Sequence, residues 1–397
     1  MPDLLNELIE LSHRFDELKP ELEMSVSDPR TEMQGYVVVW NTVDDSSSGL
    51  GRIGKGGTRI TESVTLQEIR MLAKKMALKN AAAGLPLGGA KSGLRADPTA
   101  PGFEKIYRSF VRSVKPVLYE HGGIFGGFGF DIGARPEHAL WACDELKSTR
   151  SFTGKPLDMG GTDYDREGIA GLGVSNAAIK TLEHFRMQPS GMTYAVQGLG
   201  AMGSAVIRYF SKTGAHLSYI SDPQIGGTFK ISERDFENLG NALVKSNYAK
   251  IREYLSQGSC TKLRLEEILF QPVDILFPCA VQNVILESNA PKIRAKIIVE
   301  GANNPSSEAA RSILFDRGIT VVPDIIANPG GSIAAFVELT PEISPDENAV
   351  TKAKELTVRL ISRNVSHVLE MAESHQIELA KVAHWLALKR LFNELSV

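Results

Sequence analysis

The stretch Gly198-Leu-Gly-Ala-Met-Gly203 constrains the fold more than any other part of this chain. It follows the short apolar run Thr193-Tyr-Ala-Val-Gln197, which reads as a strand, and it opens the helical segment Ser204–Thr213, which Gly214 stops. A second strand, His216–Ser221, then leads to Asp222, 22 residues beyond Gly200. In a strand–turn–helix unit, Gly198 permits the tight turn, Gly200 lets the backbone approach a pyrophosphate, and Gly203 allows close helix–strand contact. The unpaired N–H groups and dipole of the helix N-terminus favour an anion there, and a carboxylate at Asp222 suits the hydroxyls of an adenosine ribose. No Lys or Arg lies between Asp222 and Lys230, so NAD is expected as the cofactor. NADP stays open, since residues from elsewhere in the chain can complete a phosphate site.

Strands at Val273–Phe277, Lys296–Val299 and Thr320–Val322 continue the alternation of strand and helix. That order predicts right-handed βαβ units and a parallel sheet, hence an α/β fold. Ligands of such sheets bind at the carboxyl ends of the strands. Glu300, Asn303 and Pro323-Asp324 fall at those ends, with turn formation as the other reading of Asn303.

Before about residue 165 helix and strand signals mix. Gly35–Asn41 reads as a strand, Asp44–Gly49 as a polar loop, and Thr65-x-x-Glu68 as a capping box opening a helix with Leu66, Ile69, Leu72, Ala73 and Met76 on one face. Phe103, Ile106, Phe110, Val114 and Val117 mark another helix that ends near Pro116. The tail has no glycine from Ser332 to Val397, and Asn348–Glu373 and Ile377–Leu395 read as long helices that can pack on either domain.

At 397 residues the chain has room for about two to three domains. Its 44 basic and 47 acidic residues give a net charge of −3, with no cationic run beyond a pair such as Lys74-Lys75. A nucleic-acid partner is therefore not expected. Three cysteines without a C-x-x-C and eight scattered histidines argue against a disulfide framework and a protein-held metal. The N-terminus lacks the basic start and apolar run of a signal peptide, and no stretch has the length of a membrane span. A cytoplasmic protein that does not enter membranes is expected.

Two glycine-rich turns each carry a lysine: Gly54-Lys-Gly-Gly-Thr-Arg59, and Leu85-Pro-Leu-Gly-Gly-Ala-Lys-Ser-Gly93. Lys79 lies between them. Lysines converging on a cleft bind carboxylates, and a desolvated lysine moves its pKa toward neutrality, where it can shuttle protons. The alternative is three solvated lysines, with Lys79 a helix C-terminal cation. Asp131, amid the glycines and apolar residues of His121–Gly133, reads as a paired or functional carboxylate.

The ordered set Lys55-Gly-Gly-x-Arg, Leu85-Pro-x-Gly-Gly-Ala-Lys91, Asp131, Thr153-Gly-Lys-Pro156, the Gly198–Gly203 fingerprint, Pro278-Cys-Ala280, Glu300-Gly-Ala-Asn303 and Pro323–Gly331 resembles the glutamate/leucine/phenylalanine/valine dehydrogenases, from about Gly35 to Glu338. The resemblance implies reversible oxidative deamination of an L-amino acid to a 2-keto acid and ammonia, with hydride passing to a nicotinamide. It implies an N-terminal substrate-binding and oligomerisation domain, residues 1–165, rejoined by helices within 340–397. A Rossmann-type domain over 166–339 binds the dinucleotide. Lys91 would activate water and polarise the carbonyl, and Asp131 would exchange protons with the amine. Lys79 would bind the α-carboxylate, while Lys55 with Gly56 would line the distal end of the side chain. Gly198, Gly200, Ala201, Met202, Gly203, Asp222, Ala280 and Asn303 would contact the cofactor, Asn328 both cofactor and substrate, and Ala335 the substrate. Cleft closure before hydride transfer and a homo-oligomer, often a hexamer or octamer, are further family properties.

A lysine at position 55 implies glutamate as the substrate. Ala335, however, stands where glutamate-type members carry a serine, Ala170 where many have threonine, and Ser92 where a glycine follows the catalytic lysine. Phe128-Gly-Phe before Asp131 is also unusual. A larger or apolar amino acid, a non-catalytic dinucleotide-binding paralogue, and a dehydrogenase of a non-amino-acid substrate are the alternatives.

Overall fold

The structure, a computed structural model, describes residues 4–45, 49–258, 260–340 and 348–392. Packing divides the chain into two compact units, one of residues 1–163, 332–353 and 385–397, the other of residues 164–331 and 354–384.

The first unit is built on a six-stranded mixed sheet. Its strands are β1 (Leu22–Asp28), β2 (Met33–Val39), β3 (Val43–Asp45), β4 (Gly51–Lys55), β5 (Thr58–Ile60) and β6 (Gly88–Leu94). They run in the order β1-β2-β6-β4-β3, with β5 also parallel to β6. The polar loop expected at Asp44–Gly49 thus starts as part of β3, and residues 46–48 lie outside the described residues. Side chains alternate across β6, so Gly89, Lys91 and Gly93 share one face. Helix Leu66–Ala83 lies on that face, so close that a Cβ at Gly89 would come within 2.2 Å of Ala77 N. On the opposite face Ala90 and Leu94 join a core with Val37, Val39, Tyr107, Phe110 and Phe128, the rings of Tyr107 and Phe110 coming from helix Phe103–Val114. A short parallel pair, β7 (Phe128–Gly129) and β8 (Phe152–Thr153), stands beside this sheet.

The second unit holds a seven-stranded sheet of β9 (Thr193–Gln197), β10 (His216–Asp222), β11 (Gly227–Lys230), β12 (Lys262–Leu263), β13 (Ile275–Pro278), β14 (Ile297–Val299) and β15 (Thr320–Val322). The order is β12-β11-β10-β9-β13-β14-β15. Five strands form the expected parallel core, but β11 and β12 are antiparallel additions at one edge, so the sheet is mixed. They escape sequence reading because they are short, four and two residues long, and two helices separate them along the chain. After β9 the chain moves to β10 on one side, and it later returns to β13 on the other. The carboxyl ends of β9 and β13 are therefore a topological switch point, where α/β proteins bind ligands.

The tail is divided between the units. Helix Ala349–His375 lies on helix Ile169–His184 in the second unit, where Asn176 Nδ2 donates to Val358 O and Ser362 Oγ, 3.2 and 2.9 Å away. Only beyond residue 384 does the closing helix Leu379–Leu391 group with the first unit. There Arg390 Nη1 donates to Ala82 O at 2.7 Å, satisfying a terminal carbonyl of helix Leu66–Ala83.

Candidate active site

In the first unit the site begins at a corner that only glycine allows. A Cβ at Gly56 would lie 1.8 Å from Ala90 O, and one at Gly57 2.5 Å from Phe130 O. The β4–β5 corner can thus press against β6 and against the segment carrying Asp131. Buried Asn80 ties the corner to helix Leu66–Ala83, its Nδ2 donating to Lys55 O and Gly88 O at 3.2 and 2.8 Å.

Lys55 is buried, and its Nζ donates to Gly127 O at 2.8 Å and Phe128 O at 2.6 Å. Burial lowers its pKa to about 7; Glu338 acts against this, while Lys155 and Lys91 reinforce it. Its hydrogen bonds go to carbonyls, not to a carboxylate.

Lys91 projects from β6 with Nζ 2.8 Å from Asp131 Oδ2. Arg59 grips the same carboxylate, Nε to Oδ2 at 3.2 Å and Nη2 to Oδ1 at 3.4 Å, and its Nη1 reaches Glu68 Oε1 at 2.7 Å. Glu68–Arg59–Asp131–Lys91 is thus a chain of alternating charges. Burial works to raise the pKa of Asp131, but Lys91 and Arg59 outweigh it and hold the carboxyl below its ordinary range. The capping box is consequently half made: Thr65 accepts from Glu68 N–H, while the Glu68 carboxylate goes to Arg59. Ser92 faces away from Lys91 and donates to Thr58 Oγ1 at 2.9 Å.

Behind Lys55 lies a second charge pair. Lys155 Nζ sits 2.7 Å from Glu338 Oε2, with both side chains almost wholly buried. Glu338 Oε1 also accepts from Gly154 N–H, Thr162 N–H and Thr162 Oγ1. Ala335 is buried one helical turn before Glu338. Lys79 is half-buried, and its helix runs four residues further to Ala83, which removes it from the last turn and weakens its reading as a helix-end cation.

In the second unit the glycine turn lies at the switch point. Gly198 has φ +87°, and a Cβ there would be 2.8 Å from Ala280 Cα. Helix Ala201–Phe210 begins three residues earlier than Ser204, and a Cβ at Gly203 would meet Gly198 O at 1.8 Å. At Gly200 nothing lies within 4 Å of the corresponding point, which leaves room for a phosphate at the helix N-terminus. Asn328 Nδ2 donates to Gly301 O, Ala302 O and Asn303 Oδ1 at 2.9, 3.3 and 3.2 Å. Two amide oxygens, Gln197 Oε1 and Asn328 Oδ1, are buried without a hydrogen-bond partner among the described residues. Such acceptors, Gln197 at the end of β9 and Asn328 after the short helix Asp324–Ala327, fit a ligand with amide N–H groups.

Glu300 and Asp324 prove structural. Glu300 is fully buried against Arg311, 2.7 Å from Nη2, and accepts from Asp324 N–H at 3.0 Å. Burial pushes its pKa up against the pull of Arg311. Asp324 Oδ2 in turn accepts from Asn304 N–H, so the pair shapes the loop that carries Asn303. The Cys279 thiol is buried, which raises its pKa and leaves it unreactive.

Asp222 is more occupied than its sequence position suggests. Its Oδ2 accepts from Leu199 N–H at 2.8 Å and Tyr248 OH at 3.1 Å, and its Oδ1 from Gln224 N–H at 2.8 Å. Two cations from other elements flank the turn after it. Arg252 Nη1 donates to Gln224 O at 3.2 Å, and a Cβ at Gly226 would lie 3.7 Å from Lys262 Nζ.

Sequence reasoning singled out neither Arg59, Lys155, Glu338, Tyr248 nor Arg252 as site residues. The signal for Glu338 was present: it is the one charged side chain in the run Ser332–Leu339.

Residues 160–396 match the family described as Glutamate/Leucine/Phenylalanine/Valine dehydrogenase, and residues 20–148 match the Glu/Leu/Phe/Val dehydrogenase, dimerisation domain. A glutamate dehydrogenase of Aeropyrum pernix is 32% identical over 356 residues, spanning 86% of this chain and 83% of that protein. An NADP-specific glutamate dehydrogenase of Saccharolobus shibatae is 34% identical over 335 residues, 82% of this chain and 76% of its own. Among solved structures, the hetero-hexameric glutamate dehydrogenase of Thermus thermophilus in its Leu bound form is similar, with a TM-score of 0.77 and 25% identity over 99% of this chain and 96% of that one.

Proposed function

The chain belongs to the glutamate/leucine/phenylalanine/valine dehydrogenase family, and we propose that it interconverts L-glutamate with 2-oxoglutarate and ammonia, using NAD(P). The observation that carries the choice of glutamate is the buried Lys55, whose hydrogen bonds go only to carbonyls. The other cations of the charge chain and of the pair behind it have carboxylates: Lys91 and Arg59 share Asp131, Arg59 also holds Glu68, and Lys155 has Glu338. A buried ammonium without an anion is costly, and a distal substrate carboxylate supplies one.

In the deamination direction the α-amine first gives up a proton, and Asp131, held ionised by two cations, is the acceptor. A nicotinamide held by the second unit would supply the acceptor for the α-hydrogen and its electron pair. The resulting iminium carbon is attacked by water. Lys91 assists by polarising and orienting that water, and its proton exchanges with the adjacent Asp131 at 2.8 Å. Collapse of the carbinolamine, with a proton returned to nitrogen, releases ammonia and leaves the keto acid. Lys79 holds the α-carboxylate throughout, a role that rests on the family resemblance.

In the second unit, Gly198, Gly200, Ala201, Met202 and Gly203 would cradle the pyrophosphate. Ala280, Asn303 and Asn328 would line the nicotinamide end, where the orphan oxygens of Gln197 and Asn328 await donors. We place the protein in the cytoplasm because its three buried cysteines form no disulfide among the described residues. Among the described residues no helix is long and apolar enough to cross a membrane. Self-association is supported by the match of residues 20–148 to a dimerisation domain.

Two observations favour a second reading, an apolar substrate: burial lowers the Lys55 pKa to about 7, and Ala335 offers no hydroxyl to a distal carboxylate. The test of mechanism is single-turnover hydride transfer by Lys91→Ala with saturating enzyme. Turnover should vanish while dinucleotide binding survives; full activity would remove Lys91 from its role.

A further inference from the structure

Asp222 stands where a carboxylate normally receives both ribose hydroxyls of NAD, yet this one is already used by its own chain. Three donors, Leu199 N–H, Gln224 N–H and the Tyr248 phenol, converge on it, and it is buried. The first two bolt the glycine turn to β10 and cap the short turn Pro223–Ile225. Ser246 fastens the same loop, donating to Leu199 O at 2.8 Å. The carboxylate therefore serves the scaffold, and the Tyr248 hydroxyl covers the oxygen that would otherwise repel a neighbouring anion.

Around the turn Asp222–Gly227 the charge has the opposite sign. Arg252, exposed on helix Tyr248–Leu255, spends one Nη1 hydrogen bond on Gln224 O, and its other guanidinium nitrogens have no partner among the described residues. Lys262, exposed on β12, lies beside Gly226 with its Nζ 5.8 Å from the centre of the Phe229 ring, and no carboxylate pairs with it among the described residues. Two cations come from segments 30 to 40 residues beyond Asp222 and meet at one turn. That turn follows the second strand of the dinucleotide unit, where the substituent on the ribose 2′ oxygen lies. No basic residue between Asp222 and Lys230 was needed: the antiparallel edge strand and the helix before it bring the charges in.

We infer that the dinucleotide site selects the 2′-phosphorylated cofactor, with Arg252 as the principal phosphate partner, Lys262 as the second, and Tyr248 screening Asp222. The inference deepens the dehydrogenase reading and rests on it. A guanidinium offers a phosphate two parallel N–H donors, whereas the lysine contributes a point charge.

The test uses the intact chain and two probes that need no turnover, 2′,5′-ADP and 5′-AMP, followed by titration calorimetry. The wild type should bind 2′,5′-ADP at least about tenfold more tightly than 5′-AMP, the usual scale for charge-assisted hydrogen bonds. Arg252→Gln should remove most of that preference and leave 5′-AMP binding within about twofold, with Lys262→Gln doing the same more weakly. Both residues are exposed, so neither change threatens folding. Equal affinity of the wild type for the two probes, or an equal loss of both in Arg252→Gln, would overturn the inference. Retained preference for 2′,5′-ADP in a protein that reduces no keto acid would leave the inference standing and remove the dehydrogenase reading instead.

Discussion

Replacing Lys55 with methionine should make the first unit more stable near pH 6 and leave it almost unchanged near pH 9. The ammonium is fully buried, and its pKa falls from 10.5 to about 7. Between those values the unfolded chain binds the extra proton, so the wild type gains stability as pH rises through the window. Below pH 7 the buried charge costs about 5 kcal/mol relative to the neutral amine, and by pH 9 about 2 kcal/mol remains. Methionine removes this cost but also two hydrogen bonds, to Gly127 O and Phe128 O, worth about 2 kcal/mol together. The expected net effect is a gain of about 3 kcal/mol at pH 6 and about zero at pH 9. Urea unfolding followed by tryptophan fluorescence reads the right part of the molecule, because Trp40, Trp141 and Trp385 all belong to the first unit. The same variant should lose its preference for dicarboxylate over apolar keto acids. In the wild type, KM for 2-oxoglutarate should climb above pH 7 as the amine loses its charge. A variant destabilised equally at both pH values would refute the claim that Lys55 is a strained cation awaiting an anion.

Other perturbations have equally definite outcomes. Lys155→Met strands the buried Glu338 carboxylate and should cost about 3–5 kcal/mol by urea unfolding, most of it recovered in the double variant Lys155→Met/Glu338→Leu. Gly203→Ala would place a methyl 1.8 Å from Gly198 O; loss of dinucleotide binding by calorimetry is expected, and retained affinity would show that the turn yields. Asp131→Asn should lower kcat by about a hundredfold or more, the usual worth of a positioned proton acceptor, with dinucleotide affinity unchanged. Arg59→Gln removes one of the two cations that hold Asp131 ionised, so the acidic limb of the kcat/KM profile should move to higher pH.

Much of this was legible in the sequence because it depends on neighbours along the chain. The strand before Gly198, the helix stop at Gly214 and Thr320–Val322 needed only local pattern. The family motifs carried the candidate site, since Lys55 and Lys91 lie beside glycines that let β4, β5 and β6 pack closely, while Lys79 lies within a helix. What stayed hidden depends on partners far apart. Lys155 and Glu338 are 183 residues apart, and no periodicity links them. Glu68 has the spacing of a capping residue, yet Arg59 outcompetes a backbone N–H for its carboxylate, because a charged donor makes the stronger bond. Asp222 shows the reverse case: its position is that of a ribose ligand, but tertiary donors had already claimed it. The division of the tail was equally closed to sequence, since it rests on distant partners: Asn176 holds Val358 and Ser362, while Glu7 holds Trp385 and Lys389.

The most direct test of the central claim is reductive amination itself, followed by nicotinamide absorbance. The assay takes ammonium, NADPH or NADH, and a panel of 2-oxoglutarate with branched-chain and aromatic keto acids. The account predicts ammonium-dependent oxidation of the reduced cofactor, with kcat/KM for 2-oxoglutarate at least about a hundredfold above that for any apolar keto acid, the scale set by one buried charge pair. An apolar keto acid preferred over 2-oxoglutarate would contradict the assignment of Lys55, and no ammonium-dependent turnover with any of them would contradict the enzyme.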